Sequence, residues 1–336
     1  MMPARLWLRY FAAGFVVIIS MLLVTLFTPA PYGDLTRIGR LSDAEFGWQA
    51  APPVVTKAYI KGVPLDQADV LVVGDSFSMT LRWQSRLVKE GYKVATIYWG
   101  QTGPLCSDFT PWIQRAGFKG KLVVVESVER LLGDRLKGGS TCTTMSKEPV
   151  VKTMPFLEPL EAVPGFALNW SAKLTTGLIT YANMRKVRAL SGDALFGDET
   201  WVRPVPDGCR YFSHKLCEKA LFFFEDTDNP PLKPEAVEQM KTFTKAQSDL
   251  KFVWMVIPDK TTVYVDTQHA APFVAAFKTS DLGPDLFSFA ADERARVRDF
   301  YFPNDTHLSM HGQLIVGDRM LQAVRQVLPP PAPRLP

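Results

Sequence analysis

The sequence has no run of basic residues and only a small excess of positive charge. Its 336 residues include 38 Lys and Arg against 34 Asp and Glu, for a formal net charge of +4. Two of the positive charges, Arg5 and Arg9, precede the first apolar segment. Because proteins bind nucleic acids by neutralising phosphates with clustered cations, we expect no nucleic-acid partner.

An internal repeat is also missing, and 26 prolines are too many for a chain of long helices. These features disfavour a solenoid and an all-helical bundle. Hydrophobic residues make up 47% of the chain and charged residues 21%, which excludes wholesale disorder. The length suits one domain of roughly 200–250 residues with an appendage.

One long uncharged run lies near the N-terminus, where residues 11–27 read FAAGFVVIISMLLVTLF. With the apolar residues just before it, this run can cross a hydrocarbon core of about 30 Å. Arg5 and Arg9 place its N-terminal side in the cytoplasm. We therefore expect an uncleaved anchor over residues 1–30 in the inner (cytoplasmic) membrane, with the remaining chain in the periplasm. A cleaved signal peptide is the competing interpretation.

The chain has only four cysteines, which suits an exported protein. Cys209 and Cys217 bracket the short polar loop CRYFSHKLC, which a disulfide could close, and Cys106 and Cys142 remain. Four cysteines allow three pairings, and the sequence does not choose among them. A zinc site that includes His214 is the alternative. Because its spacing matches no common zinc knuckle and a fourth ligand is missing, we expect disulfides and no metal.

Short apolar segments alternate with helical patterns along the chain. We predict strands at 69–73, 93–99, 121–126 and 251–257, with a weaker fifth at 285–289, and helices at 77–90, 234–250 and 309–328. Continuous apolar runs are typical of strands that are buried on both faces. The alternation predicts an α/β fold, specifically a three-layer α/β/α sandwich with a mainly parallel five-stranded sheet.

We expect a tether at 31–56 between the anchor and a main domain at 57–330. An insertion at about 140–232 interrupts this domain between the third and fourth predicted strands. It has a helical pattern near 172–188 and an aromatic-rich, cysteine-bracketed region at 196–226. We interpret the insertion as a cap or a substrate-facing elaboration of the main domain, and not as an independent domain.

Ser76 follows the first predicted strand in the sequence Val-Val-Gly-Asp-Ser-Phe. Sites in open α/β sheets lie beyond the carboxyl ends of the strands. Gly74 permits a tight turn there, and the start of the next helix offers free amides and a positive dipole. A serine nucleophile needs these conditions, and such amides can bind an oxyanion. An ordinary helix N-cap is the structural alternative.

Asp305 and His307 lie in the segment YFPNDTHLS before the last predicted helix. A carboxylate two residues before an imidazole can accept a bond from Nδ1–H and leave Nε2 facing a serine. A loop histidine beside a capping aspartate is the structural alternative. Taken together, the two segments favour a catalytic set of Ser76, Asp305 and His307.

The blocks around Ser76 and His307 resemble the SGNH-hydrolase superfamily, in particular its AlgX/AlgJ-like and DltD-like branch of exported polysaccharide O-acetyltransferases. That branch typically uses Asp-x-His where ordinary GDSL esterases use Asp-x-x-His. The segment VVESVER at 124–130 is similar to its E-x-x-E-R segment, and IPDKTTVY at 257–264 to its P-x-K-x-x-x-Y segment. The similar blocks span residues 70–328, but the Gly-x-Asn-Asp block of hydrolases is absent.

The resemblance implies an SGNH-type, flavodoxin-like fold and a serine acyl-enzyme without a cofactor. The amides of Ser76 and Gly100 would form the oxyanion hole. The implied acceptor is a hydroxyl of an exopolysaccharide or cell-envelope glycan, and the implied partner is a membrane-bound O-acyltransferase that supplies acetyl groups. The alternatives are an exported esterase of carbohydrate or lipid acetyl esters and a non-catalytic scaffold of a polysaccharide-modification complex.

Four further residues are candidates for substrate contact. Glu126 and Arg130 end the third predicted strand, and Lys260 and Tyr264 follow the fourth. Each also has a structural interpretation. Glu126 and Arg130 would suit an ion pair that caps a helix, and the other two would suit a solvated lysine and a packing tyrosine.

Overall fold

The computed structural model describes residues 2–228, 230–247 and 249–330. The chain divides into two compact units. The first unit comprises the chain as far as Ala50 together with Val163–Phe224 and Phe302–Thr306. The second comprises Ala51–Ala162, Glu225–Tyr301 and the chain from His307 onward.

Seven strands form two sheets within the described residues, a parallel sheet in the second unit and an antiparallel sheet in the first. In chain order the strands are β1 (Val70–Gly74), β2 (Val94–Tyr98), β3 (Leu122–Val128), β4 (Ala194–Phe196), β5 (Thr200–Pro204), β6 (Lys219–Phe223) and β7 (Lys251–Ile257).

The parallel sheet has the strand order β2-β1-β3-β7. Every residue of β1 and β3 is buried, as expected for strands that are covered on both faces. This confirms the prediction of an α/β fold with a parallel sheet. Since β2 and β3 lie on opposite sides of β1, the strand order reverses beside β1. In open α/β sheets, such a reversal marks the edge where ligands bind.

Ten helices accompany this sheet in the described part of the second unit. They are Ser85–Lys89, Trp99–Thr102, Phe109–Arg115, Glu129–Ser140, Glu225–Asp228, Pro234–Ala246, Lys260–Tyr264, Ala271–Lys278, Leu286–Glu293 and Met310–Val327. Short 3-10 turns occur at Lys57–Tyr59, Leu65–Gln67 and Ser76–Ser78.

The fifth strand predicted at 285–289 is wrong. Residues Leu286–Glu293 form a helix, and the described sheet has four strands. Asp285 caps this helix, because its side chain accepts hydrogen bonds from the amides of Phe287 and Ser288. A short apolar run fits a buried helix as well as a strand, and the capping carboxylate is the signal that distinguishes the two.

The helix predicted over 77–90 is also incorrect for most of its length. The chain forms a 3-10 turn at Ser76–Ser78 and becomes α-helical only at Ser85–Lys89. Between them Leu81 adopts a left-handed conformation, with φ of 53°. Arg82 and Trp83 follow and are both buried, and Arg82 donates hydrogen bonds to backbone carbonyls. Tertiary contacts therefore override the helical pattern here.

The first unit contains the antiparallel sheet β4-β5-β6. Its core is formed by Leu35, Leu41, Phe46, Met184, Val187, Phe196, Val202 and Leu221. Its helices are Met2–Leu26, Asp34–Gly39, Asp43–Phe46, Thr176–Ala189 and Gly208–Tyr211. The predicted tether at 31–56 thus includes two helices whose side chains enter a core, and the helix predicted near 172–188 is present.

The N-terminal helix Met2–Leu26 is long and apolar enough to cross a membrane. Only 6% of its most apolar window is buried, and most of its large apolar side chains are exposed. Its last turn contacts the rest of the first unit, since Thr25 donates a hydrogen bond to the carbonyl of Leu174. These properties agree with the expected anchor.

Candidate active site

Ser76 and His307 are 231 positions apart in the sequence, and the structure brings them together. The hydroxyl oxygen Oγ of Ser76 lies 2.8 Å from Nε2 of His307. An imidazole at this distance can accept the serine proton when Nε2 is unprotonated. The pair therefore has the geometry of a nucleophile and its general base.

The turn after β1 determines where the Ser76 hydroxyl points. Asp75 precedes the 3-10 turn and caps it, because its Oδ1 accepts a hydrogen bond of 3.0 Å from the amide of Phe77. Gly74 is required by close packing: an added Cβ would lie 2.4 Å from Oγ of Ser78 and 2.9 Å from Oε2 of Glu126. The glycine of the Gly-Asp-Ser motif therefore has a steric role.

His307 lies in a loop that two backbone contacts close. Tyr301 and Leu308 form an antiparallel bridge, and the amide of Ser309 donates to the carbonyl of Phe300. The hydroxyl of Tyr301 donates to the carbonyl of Pro258 after β7. These contacts fix both ends of the loop.

Aromatic packing adds a further restraint on the imidazole. The ring of Phe77 lies 4.8 Å from that of His307 and 6.5 Å from that of Tyr301. Phe77 directly follows Ser76, so one side chain packs against both the base and the loop that positions it. The sequence did not single out Phe77 or Tyr301.

Asp305 lies two residues before His307 and belongs to the first unit. Its Oδ2 accepts a hydrogen bond of 3.0 Å from the amide of Asp34. In return, the carboxylate of Asp34 accepts bonds from the amide and hydroxyl of Thr306, at 2.9 and 2.6 Å. Asp34 therefore fixes the Asp305–Thr306 segment within that unit. Asp34 was expected in a tether, and no motif marked it.

Glu126 is fully buried at the end of β3. Its Oε2 accepts hydrogen bonds of 2.8 Å from the amide of Asp75 and from the hydroxyl of Ser78. Burial, and then the nearby charge of Asp75, raises the pKa of Glu126 well above its usual value. Glu126, a candidate for substrate contact, is therefore buried beside the Ser76 turn. There it accepts hydrogen bonds from the backbone of Asp75 and the side chain of Ser78.

Asp75 is the ionised partner in this cluster. Burial alone would raise its pKa, but Arg135 and several hydrogen bonds outweigh that effect and lower it. Its Oδ2 accepts bonds of 2.9 Å from Arg135 and from the amide of Val128. Arg135 also stacks over the ring of Trp99 at 4.6 Å. The sequence analysis did not predict this ion pair between the buried Asp75 and the partly buried Arg135.

Arg130, Lys260 and Tyr264 belong to a second buried network. Nη1 of Arg130 lies 3.1 Å from the carboxylate of Asp226 and 2.9 Å from that of Asp259. Burial would lower the pKa of Arg130, but the two carboxylates raise it.

Lys260 is 1% exposed. Burial raises the pKa of Asp226, and the charges of Arg130 and Lys260 oppose that rise without cancelling it. Tyr264 is 6% exposed, and its hydroxyl oxygen accepts a hydrogen bond of 3.4 Å from the amide of Tyr301. Of the three residues, Tyr264 contacts the loop that bears His307, and Arg130 and Lys260 interact with buried carboxyl groups. Their role in substrate binding stays a prediction.

The two predicted oxyanion donors occupy equivalent positions after neighbouring strands. Gly74 pairs with Tyr98 in the register of β1 and β2, so Ser76 and Gly100 each lie two residues beyond the paired positions. Ser76 is the first residue of its 3-10 turn, where an amide has no acceptor within the turn. Gly100 is exposed in the short helix Trp99–Thr102.

The four cysteines form two disulfides, Cys106–Cys142 and Cys209–Cys217. The structure thus selects one of the three possible pairings. Because both sulfur atoms of Cys209 and Cys217 are used in a bridge, they are not thiolate ligands for zinc. His214 between them is buried, and its Nε2 lies 2.7 Å from the carbonyl oxygen of Lys219.

No protein-family model matches this chain, and no curated protein or solved structure matches it. Its function is therefore inferred from the sequence motifs and from the geometry of the side chains. The resemblance to SGNH enzymes remains a prediction from the motifs.

Proposed function

We propose that this protein is a serine-dependent acyltransferase that forms an acyl-enzyme at Ser76. The observation that supports this most directly is the 2.8 Å separation between Oγ of Ser76 and Nε2 of His307. The turn that bears Ser76 follows a central strand of a parallel sheet, at the edge where such folds bind substrates. Acyl transfer is the chemistry for which a serine and an imidazole suffice without a cofactor.

In the first half-reaction the Ser76 oxygen attacks the carbonyl carbon of an acyl ester while Nε2 of His307 takes the hydroxyl proton. The tetrahedral intermediate collapses when the donor's alcohol leaves with that proton. The amides of Ser76 and Gly100 are the proposed donors to the oxyanion. Losing one such donor typically raises the barrier by about 3–4 kcal/mol.

In the second half-reaction, His307 removes a proton from the acceptor hydroxyl, whose oxygen attacks the acyl-serine carbonyl. The bond between the acyl carbon and Oγ of Ser76 breaks, and His307 returns the proton to that oxygen. Asp305 is proposed to accept a bond from Nδ1–H of His307 and to stabilise the imidazolium. This role rests on the Asp-x-His spacing.

We propose a glycan hydroxyl as the acceptor and a membrane-bound O-acyltransferase as the source of acetyl groups. The N-terminal helix supports a location at a membrane, and two disulfides support an oxidising compartment such as the periplasm. A hydrolase would use the same Ser76 and His307 and would differ only in passing the acyl group to water.

The first test measures release of a chromogenic alcohol from an acetyl ester. Ser76→Ala and His307→Ala should each lower kcat by about 10⁴-fold or more, because each removes a reacting group. Matched controls are Ser140→Ala and His311→Ala, which change the exposed Ser140 and the partly exposed His311 and should leave kcat within about twofold. Equal activity of Ser76→Ala and wild type would exclude the acyl-enzyme.

The acceptor is tested by mass spectrometry of the products. A transferase yields acetylated oligosaccharide when glycan is added, whereas an esterase yields acetate at an unchanged rate. A scaffold predicts that Ser76→Ala leaves acetylation of the envelope glycans unchanged in cells.

A further inference from the structure

Two buried carboxyl groups, those of Asp75 and Glu126, lie beside the Ser76 turn. They differ in the number of hydrogen bonds that they accept. Asp75 accepts bonds from three donors: the amides of Phe77 and Val128 and the guanidinium of Arg135. Glu126 receives two bonds, and both reach the same oxygen, Oε2. Among the described residues, its other oxygen, Oε1, accepts none.

Asp75 is next to Glu126: its amide donates to Oε2 of Glu126 at 2.8 Å, and the two carboxyl groups are themselves hydrogen-bond partners. Two carboxylates cannot bond to each other unless one of them has a proton. Asp75 has the donors that stabilise an anion, so the proton belongs to Glu126. The titratable groups that face Glu126 are Asp75, at the end of β1, and Arg135, from the helix Glu129–Ser140.

We propose that Glu126 is a neutral carboxylic acid that donates its proton to Asp75 and so positions the turn that presents the Ser76 hydroxyl to His307. Glu126 is thus a positioning residue, since it acts through Asp75 and Ser78 on the backbone of the turn. The effect of Glu126 on the rate rests on the proposed acyl transfer. The protonation of Glu126 does not depend on that proposal.

The structure suggests why a neutral acid is needed here. Ionised Glu126 would put a second negative charge beside Asp75 among buried groups, and the two would repel each other. The amide of Asp75, one residue before the nucleophile, would then lose its fixed acceptor. Displacing a catalytic group by about 1 Å can cost on the order of 100-fold in rate.

The test compares Glu126→Gln with Glu126→Ala. A glutamine amide can donate to Asp75 through Nε2, and its oxygen can accept the bonds from Asp75 N–H and Ser78, but it cannot ionise. Alanine provides neither function. The matched control is Glu238→Gln, an equal change of charge at an exposed glutamate that pairs with Lys241.

Kinetics on the chromogenic acetyl ester are measured against pH and corrected for spontaneous hydrolysis. At neutral pH, kcat of Glu126→Gln should stay within about threefold of wild type, and that of Glu126→Ala should fall by about 100-fold with little change in KM. The wild type and Glu238→Gln should lose kcat reversibly at alkaline pH as Glu126 ionises. Glu126→Gln should not show this loss.

A second readout needs no activity. Burial also raises the pKa of Glu129, to about 7, so the readout is a difference between variants. Infrared spectra of protein labelled with ¹³C at the glutamate carboxyls are recorded at neutral pH, and the spectrum of wild type minus that of Glu126→Gln should show a protonated carboxyl band. The spectrum of Glu238→Gln should match that of wild type in this band. If wild type has no ester activity, the proposed function fails, and this band still decides whether Glu126 is protonated.

Three results would overturn the role of Glu126. They are an unchanged carboxyl band in Glu126→Gln, a loss of kcat in Glu126→Gln as large as in Glu126→Ala, and an alkaline decline that Glu126→Gln retains. If Glu126→Ala does not fold, the role of Glu126 is decided by the pH profile and the infrared spectrum of Glu126→Gln.

Discussion

At the scale of single residues, Gly74 shows how little space surrounds the Ser76 turn. The oxygens of Ser78 and Glu126 converge on the position that a Cβ at Gly74 would occupy, and both belong to buried side chains. The backbone does not require glycine through a positive φ at this position. Glycine is required because Oγ of Ser78 and Oε2 of Glu126 leave no room for a Cβ.

We predict that Gly74→Ala lowers the free energy of unfolding by about 1–3 kcal/mol, because the methyl group overpacks a filled site. It should also lower kcat on an acetyl ester by on the order of 100-fold, since Ser76 is displaced with the turn. Urea unfolding and initial rates measure the two effects.

The matched control is Gly133→Ala in the helix Glu129–Ser140. A Cβ at Gly133 meets only Leu232 Cδ2, at 4.0 Å, so the methyl group has room. Alanine in a helix interior should stabilise the protein by about 0.5–1 kcal/mol and leave kcat unchanged. Similar behaviour of the two variants would mean that the space around Gly74 is not restrictive.

At the scale of elements, the two disulfides close loops of very different length. Cys106–Cys142 spans 36 residues and Cys209–Cys217 spans 8. A longer loop loses more conformational freedom when it is closed in the unfolded chain. The first bridge therefore constrains the unfolded state more strongly.

We predict that Cys106→Ser with Cys142→Ser lowers the free energy of unfolding by about 4 kcal/mol. The corresponding double change at Cys209 and Cys217 should cost about 2.5 kcal/mol. Urea unfolding of both variants under identical conditions measures the difference. A larger cost for the shorter loop would contradict the loop-length argument.

The elements also show where sequence patterns succeed. The predicted strand at 251–257 coincides with β7, and the last predicted helix, at 309–328, is observed as Met310–Val327. The strand segment is a run of six consecutive apolar residues at 252–257, and the helix segment keeps a helical periodicity over 18 residues. The segment 285–289 is short, and the same apolar residues serve a helix because Asp285 caps it. Local periodicity decides the type of an element only when it extends over enough residues.

At the scale of the whole molecule, the N-terminal helix Met2–Leu26 is the one described helix that is long and apolar enough to cross a membrane. Its exposed side chains include Trp7, Tyr10 and Phe15, which are 66%, 73% and 57% exposed. A helix of this length with so many exposed apolar side chains is stable in a lipid bilayer and unfavourable in water.

We predict that the full chain remains in the membrane fraction after washing with high salt and is extracted by detergent. A variant that lacks residues 2–20 keeps Thr25 and its bond to Leu174, and it should be soluble because the remaining apolar run is too short to span a bilayer. Intact-mass measurement of the membrane-bound chain checks that the helix is retained. A mass that corresponds to loss of the first thirty or so residues would instead indicate a cleaved signal peptide.

The sequence by itself determined the parallel sheet, the apolar N-terminal helix and the candidate pair Ser76 and His307. These features depend on local patterns: continuous apolar runs, an uncharged segment, and small motifs at the ends of elements. Such patterns can be recognised because neighbours along the chain produce them.

Only the tertiary structure decided the disulfide pairing, the bonds of Asp34 to the Asp305–Thr306 segment and the position of Glu126 beside the Ser76 turn. Each depends on groups that are distant in sequence and become neighbours when the chain folds. Burial then gives a side chain such as Glu126 its chemistry, because a carboxyl group that has lost its water takes its charge state from the few groups that it touches.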